Sequence, residues 1–71
     1  MVTVKLLYNP QPRTQSLKES ITYCASLELH NQFGIECFQT SASELRFEHS
    51  RDATLAVLYL SSSTSFTPVI L

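Results

Sequence analysis

Ala53-Thr54-Leu55-Ala56-Val57-Leu58-Tyr59-Leu60 is the longest apolar run in the chain, interrupted only by Thr54. A half-exposed strand alternates apolar with polar residues, whereas a strand covered on both faces is apolar throughout. A buried helix segment of this length is apolar too. Here Thr54, Val57 and Tyr59 favour a strand, and the polar pairs Arg51-Asp52 and Ser61-Ser62 bound the run. The stretch therefore reads as a central strand that the other elements cover or extend.

Toward the N-terminus, Val2 to Tyr8 alternates, with Val2, Val4 and Leu6 on one face and Thr3, Lys5 and Leu7 on the other, as a strand does. Asn9-Pro10-Gln11-Pro12 ends it, because proline lacks a ladder donor and biases its predecessor away from helix. Ser16-Leu17-Lys18-Glu19 fits a capping box and predicts a helix start; Phe33-Gly34 predicts its end, glycine taking the left-handed turn without strain. Within this span Leu17, Ile21, Cys24 and Ala25 keep the spacing of one helix face and read as the buried side. Leu27, Leu29 and Phe33 flank it, so the apolar surface is broad enough to touch a second body. Ile35 to Thr40 reads as a second strand, with Ile35 and Cys37 on one face and Phe38 on the other. Strand, helix and strand joined this tightly predict a β-α-β crossover with the two strands parallel.

Residues 40–52 admit two readings. Ser41-Ala42-Ser43-Glu44 is a second capping box, which would place Ala42, Leu45 and His49 on the inner side of a short helix. Glu44 to His49 also alternates, with Leu45 and Phe47 inward and charges outward, and the strand is the preferred reading. Residues 61–65 form a serine-rich loop. Phe66 to Leu71 closes the chain as a strand, with Pro68 suited to an edge. The predicted fold is thus a small α/β (α+β) domain over residues 1–71. It has a sheet of four to five strands, a β-α-β crossover followed by a β-meander, and one long helix packed on the sheet. The helical reading of residues 41–50 gives instead a βαβαβ chain, a trimmed doubly wound sheet. With Thr67-Pro68 ahead of the last apolar run, the element order is similar to that of thioredoxin-like proteins. The loop that carries their reactive cysteines is Pro10-Gln11-Pro12-Arg13 in this chain, so the likeness implies a non-redox binding member.

Composition narrows the function. Charged residues are 15% of the 71, against about 25% in an ordinary soluble domain, while apolar residues reach 44%. A body this small has much surface and few charges to cover it, which leaves an apolar patch of the kind that marks interfaces. A protein partner or a homo-oligomer follows as the expectation. The net charge of −1 argues against nucleic acid, which needs a basic footprint. The start of the sequence shows no leader and no stretch of 18 apolar residues occurs, so the reading is cytoplasmic, with no membrane span and two free thiols. Two cysteines and two histidines show none of the paired spacings of zinc sites, and no cofactor motif is present.

Two sets of residues are candidates for function. The strand-to-helix loop over residues 9–18 leads into a helix N-terminus that favours anions, with Arg13, Ser16 and Lys18 as candidate contacts for a small ligand. The glycines that wrap phosphate are missing from it, the single glycine being Gly34. The second set is apolar: Leu29 and Phe33 on the helix, and Phe66, Val69, Ile70 and Leu71 at the last strand, as a candidate interface. Cys24 on the helix and Cys37 on the strand read as small buried hydrophobes, His30 as a partner of the helix C-terminus. No motif ties His49 to a nucleophile, so no catalytic residue is assigned. The expectation is a non-enzymatic interaction or regulatory module acting through an apolar face or a sheet edge. The alternative is an anion- or small-ligand-binding domain.

Overall fold

A computed structural model describes residues 1–9, 11–63 and 66–71; Pro10 and the Thr64-Ser65 part of the serine-rich loop lie outside the described residues. The elements are β1 (Val2–Tyr8), α1 (Gln15–Phe33), β2 (Cys37–Ser41), β3 (Glu44–Phe47), α2 (Ser50–Leu60) and β4 (Phe66–Ile70). The strands form one sheet in the order β2-β3-β1-β4, with every neighbouring pair antiparallel. The class is α+β, with a four-stranded sheet and two helices, the longer of them α1, packed on it. β1 and β2 do run in the same direction, but β3 lies between them, so the crossover is split by a strand. This is the split β-α-β, ferredoxin-like topology. It replaces the doubly wound and thioredoxin-like alternatives, whose neighbouring strands include parallel pairs.

The central correction concerns Ala53 to Leu60, which is not a strand but most of α2. Its buried residues are Ala53, Ala56 and Leu60, at the i, i+3, i+7 spacing of a helix face. Leu55 and Leu58 point to solvent and fill in the pattern, so the run looks continuously apolar. Alanine and leucine, five of the eight residues, are also strong helix formers. The expected meander therefore stops after one hairpin: β2 turns through Ala42-Ser43 into β3, and the chain then leaves the sheet as α2. The central strand is β1, which pairs with β3 on one side and β4 on the other.

α1 begins two residues earlier than the capping box implies. Thr14 is its N-cap, the hydroxyl accepting from the Leu17 N–H at 3.1 Å, and Ser16 sits inside the first turn. Gly34 ends the helix as expected, at φ 69° in the left-handed region, with its N–H bonded to the His30 carbonyl. The buried face is Thr22, Ala25 and Leu29, with Ile21 half-buried beside it; Leu17 and Cys24, assigned to the inner side by spacing, are exposed. The stripe is rotated because Thr22, a polar residue, takes a core position.

Thr22 earns that position through a chain of hydrogen bonds. Its hydroxyl donates to the Ala42 carbonyl at 2.7 Å and accepts from the Tyr8 hydroxyl at 2.5 Å. One buried group thus ties β1, α1 and the β2–β3 turn together. The same turn is held to β1 by the Leu6 N–H, which donates to the Ser43 carbonyl at 2.7 Å. Around it Val4, Leu6, Tyr8, Leu29, Leu45 and Phe47 form the core, and Phe66 meets the Tyr8 ring edge-on at 5.6 Å.

Three variants test this packing. Thr22→Val keeps the shape but leaves the Ala42 carbonyl without its buried donor and the Tyr8 hydroxyl with only the longer contact to the Lys18 carbonyl, so urea unfolding should show a loss of about 1–3 kcal/mol. Ala56→Leu overpacks a fully buried site and should cost about 1–3 kcal/mol. Leu58→Ala, at a site 66% exposed, should stay within about 0.5 kcal/mol. A strand buried on both faces would make Leu58→Ala at least as costly as the first two.

Candidate functional site

Side chains alternate across a sheet, and here the alternation separates two unlike faces. Val4, Leu6 and Tyr8 of β1, Leu45 and Phe47 of β3, and Phe66 and Pro68 of β4 all face the helices and are buried. Both helices take their buried partners from this side. The opposite face carries Thr3, Lys5 and Leu7 of β1, Glu44 and Arg46 of β3, Phe38 of β2, and Thr67 and Val69 of β4, with Leu71 continuing that row. No helix among the described residues covers it. Phe38 is 65% exposed and Leu71 68%, and Leu7 and Val69 are exposed as well.

Register arranges this face in rows. Phe38, Arg46 and Thr3 lie side by side, with Leu71 beyond Thr3 through the bond from its N–H to the Thr3 carbonyl. The next row is Glu44, Lys5 and Val69, and the third pairs Leu7 with Thr67. Charge occupies the middle of β3 and β1, Phe38, Val69 and Leu71 stand on the flanking sides, and Leu7 lies at the far end of β1. Lys5 and Glu44 stand directly opposite across the strands, yet neither forms an ion pair among the described residues.

The edges of the sheet are less available than its face. Because the Leu71 N–H bonds to Thr3, the residues of β4 that point their backbone groups toward β1 are Leu71, Val69 and Thr67. Pro68 therefore turns its nitrogen outward, where the missing N–H interrupts the row that an added strand would use. On the other edge, β2 carries a register shift between Gln39 and Ser41, an irregularity that also spoils a flat template.

On the helix side, a groove of about 470 Å³ opens between α1 and α2, lined among others by Ile21, Cys24, Ala25, Glu28, Tyr59 and Leu60. Across it the Tyr59 hydroxyl donates to the Glu28 carboxylate, and the Phe33 ring meets the Tyr59 ring edge-on at 5.1 Å. The polar groups here clasp the two helices. Cys24 is exposed but has no hydrogen bond to a base among the described residues, and burial pushes the half-buried Cys37 thiol up, away from the reactive thiolate. No group of three histidine, cysteine, aspartate or glutamate side chains suited to a metal occurs among the described residues. No helix is long and apolar enough to cross a membrane.

The residues singled out by sequence are dispersed by the fold. Leu29 and Phe66 are core residues and present no surface; Leu29 has no exposed area at all. Phe33 and Ile70 are exposed on the helix side, and Val69 and Leu71 reach the open face. Arg13 and Ser16 are exposed, while Lys18 is half-buried and its carbonyl, 3.3 Å from the Tyr8 hydroxyl, is a second acceptor for the proton donated to Thr22. The cap hydroxyl at this helix start is that of Thr14. Phe38, Leu7, Lys5 and Glu44 were not in either candidate set, although the alternation of Thr3, Lys5 and Leu7 marks that face in the sequence. Compared with protein-family models, with curated proteins and with solved structures, the chain matches none.

The helix clasp sets a pH dependence. The hydrogen bond to Glu28 holds the Tyr59 phenol above its ordinary 10.0, since the phenolate would lose the bond and face a carboxylate. Burial raises Tyr8 as well, partly offset by its bond to Thr22. A phenol raised in the folded chain gives up its proton later than in the unfolded one. The stability it contributes is therefore complete below about pH 10 and is lost as pH rises beyond that. Glu28→Gln should move part of the phenolate absorbance titration to lower pH; a titration identical to that of the parent chain would contradict the clasp.

Proposed function

We propose that this chain is a non-enzymatic protein-interaction module that docks through the open face of its sheet. The observation that carries the reading is the one-sided cover: both helices pack on one face, and Phe38, Leu7, Val69 and Leu71 stand exposed on the other. Exposed apolar groups gathered on one face of a small domain are the usual signature of an interface. Pro68 and the shifted register of β2 favour the face over either edge. A sheet that reads single-stranded RNA stacks bases on aromatic side chains of its central strands. Here the outward positions of β1 and β3 are Thr3, Lys5, Leu7, Glu44 and Arg46, so the chemistry favours a protein surface. The free thiols of Cys24 and Cys37 suit a reducing compartment such as the cytoplasm. An interaction partner bound to this face gives the module a regulatory rather than a chemical role.

Residue-resolved carbene footprinting tests this. The chain is labelled dilute and pure, and again in a concentrated extract of the cells that make it. Phe38, Leu7, Val69 and Leu71 should lose labelling in the extract while Leu55 and Leu58 on α2 keep theirs. Loss of labelling on α2 with the sheet face unchanged would sink the reading.

A further inference from the structure

We infer that the occupant of the open sheet face is a second copy of this chain, packed face to face about a twofold axis parallel to the strands and passing between β3 and β1. The inference rests on the docking-face reading and names its partner. Strand register makes the face self-complementary about that axis. Such an axis exchanges β1 with β3 and β2 with β4 while keeping each row at its own height, because the strand order is β2-β3-β1-β4. In the middle row Glu44 and Lys5 are neighbours across β3 and β1. The operation therefore sets Lys5 against the partner's Glu44, and Glu44 against the partner's Lys5. In the row below, Phe38 on β2 comes to face the partner's Leu71 beside β4, and the reverse contact repeats it. The face is complementary to itself in charge at Lys5 and Glu44 and in apolar character at Phe38 and Leu71, while Val69 comes to face the partner's Ser41.

The physical dimensions agree. Packed sheets lie about 10 Å apart with their strands within about 30° of alignment, a gap that a lysine and a glutamate facing each other span together. Neither side chain has an ion-pair partner within its own chain among the described residues, so both arrive at the interface with their charge unspent. Arg46, in the outer row with Phe38, comes to face the partner's Thr3. Four strands spaced by about 4.8 Å give a face roughly 19 Å wide, which puts the contact at the small end of specific interfaces. The dimer is therefore one that dissociates on dilution.

The test is sedimentation velocity of the purified full chain over a wide concentration range, with circular dichroism to confirm that each variant is folded. The parent chain should pass from monomer to dimer. Lys5→Glu and Glu44→Lys each create two like-charge contacts across the axis and should weaken the dimer at least about tenfold. Mixed in equal amounts, the two variants should form a heterodimer. Each chain in that mixture still holds its own like-charged neighbours, so recovery can come only from contacts between chains. The double variant should regain the homodimer. A parent chain that stays monomeric up to about millimolar concentration, variants that dimerise as the parent does, or a mixture that fails to pair would overturn the proposal. A monomeric parent whose sheet face is still protected in the extract would retire the second copy as occupant and leave the docking face standing.

Discussion

A four-stranded sheet has two faces to cover, and the covering material in this chain is two helices, both committed to the same side. The split crossover imposes this. β1-α1-β2 and β3-α2-β4 each leave the sheet and return to it, and with β3 inserted between β1 and β2 the two helices lie side by side on one layer. Everything the sheet shows on its other side must then be tolerated by water or covered by something else. Threonine and charge at Thr3, Lys5, Glu44 and Arg46 meet water readily; Phe38, Leu7, Val69 and Leu71 do not. The candidate site is thus a direct consequence of topology and of which residues fall on odd positions of β1.

The layer that is covered is held by a polar residue as much as by apolar ones. Thr22 joins Tyr8 on β1 to the Ala42 carbonyl of the β2–β3 turn, and that carbonyl would be stranded without it. That arrangement fixes where the hairpin sits relative to α1, and with it the order of strands. Hydrophobic burial alone is non-directional and would accept several registers; a buried hydroxyl with two specified partners accepts one. At the other end of the helix layer, Tyr59, Glu28 and Phe33 close α2 against α1 from the outside.

Much of the architecture is legible in the sequence. The strands at Val2–Tyr8 and Phe66–Ile70, the hairpin strand at Glu44–Phe47, the glycine stop at Gly34 and the edge position of Pro68 all follow from alternation and turn chemistry. The misread element is α2. An apolar run of eight residues carries no periodicity of its own when exposed leucines fill the gaps between Ala53, Ala56 and Leu60, and the cue left over was composition. The inner face of α1 was misplaced for a related reason: Thr22 is buried by its hydrogen bonds, and no hydropathy pattern registers those. The open face was half visible, since Lys5 and Leu7 alternate with the core residues of β1. Which residues share a row on it depends on strand order, and strand order is set by contacts far apart in the chain.

The claim that organises this account is that the uncovered sheet face meets another copy of itself. It is tested most directly by isotope-filtered nuclear Overhauser spectroscopy on an equimolar mixture of labelled and unlabelled chains at high concentration. Intermolecular cross-peaks are expected between the Phe38 ring and the methyl groups of Leu71, with none to Leu55 or Leu58. Cross-peaks confined to the helix side, or no intermolecular cross-peaks at all, would contradict it.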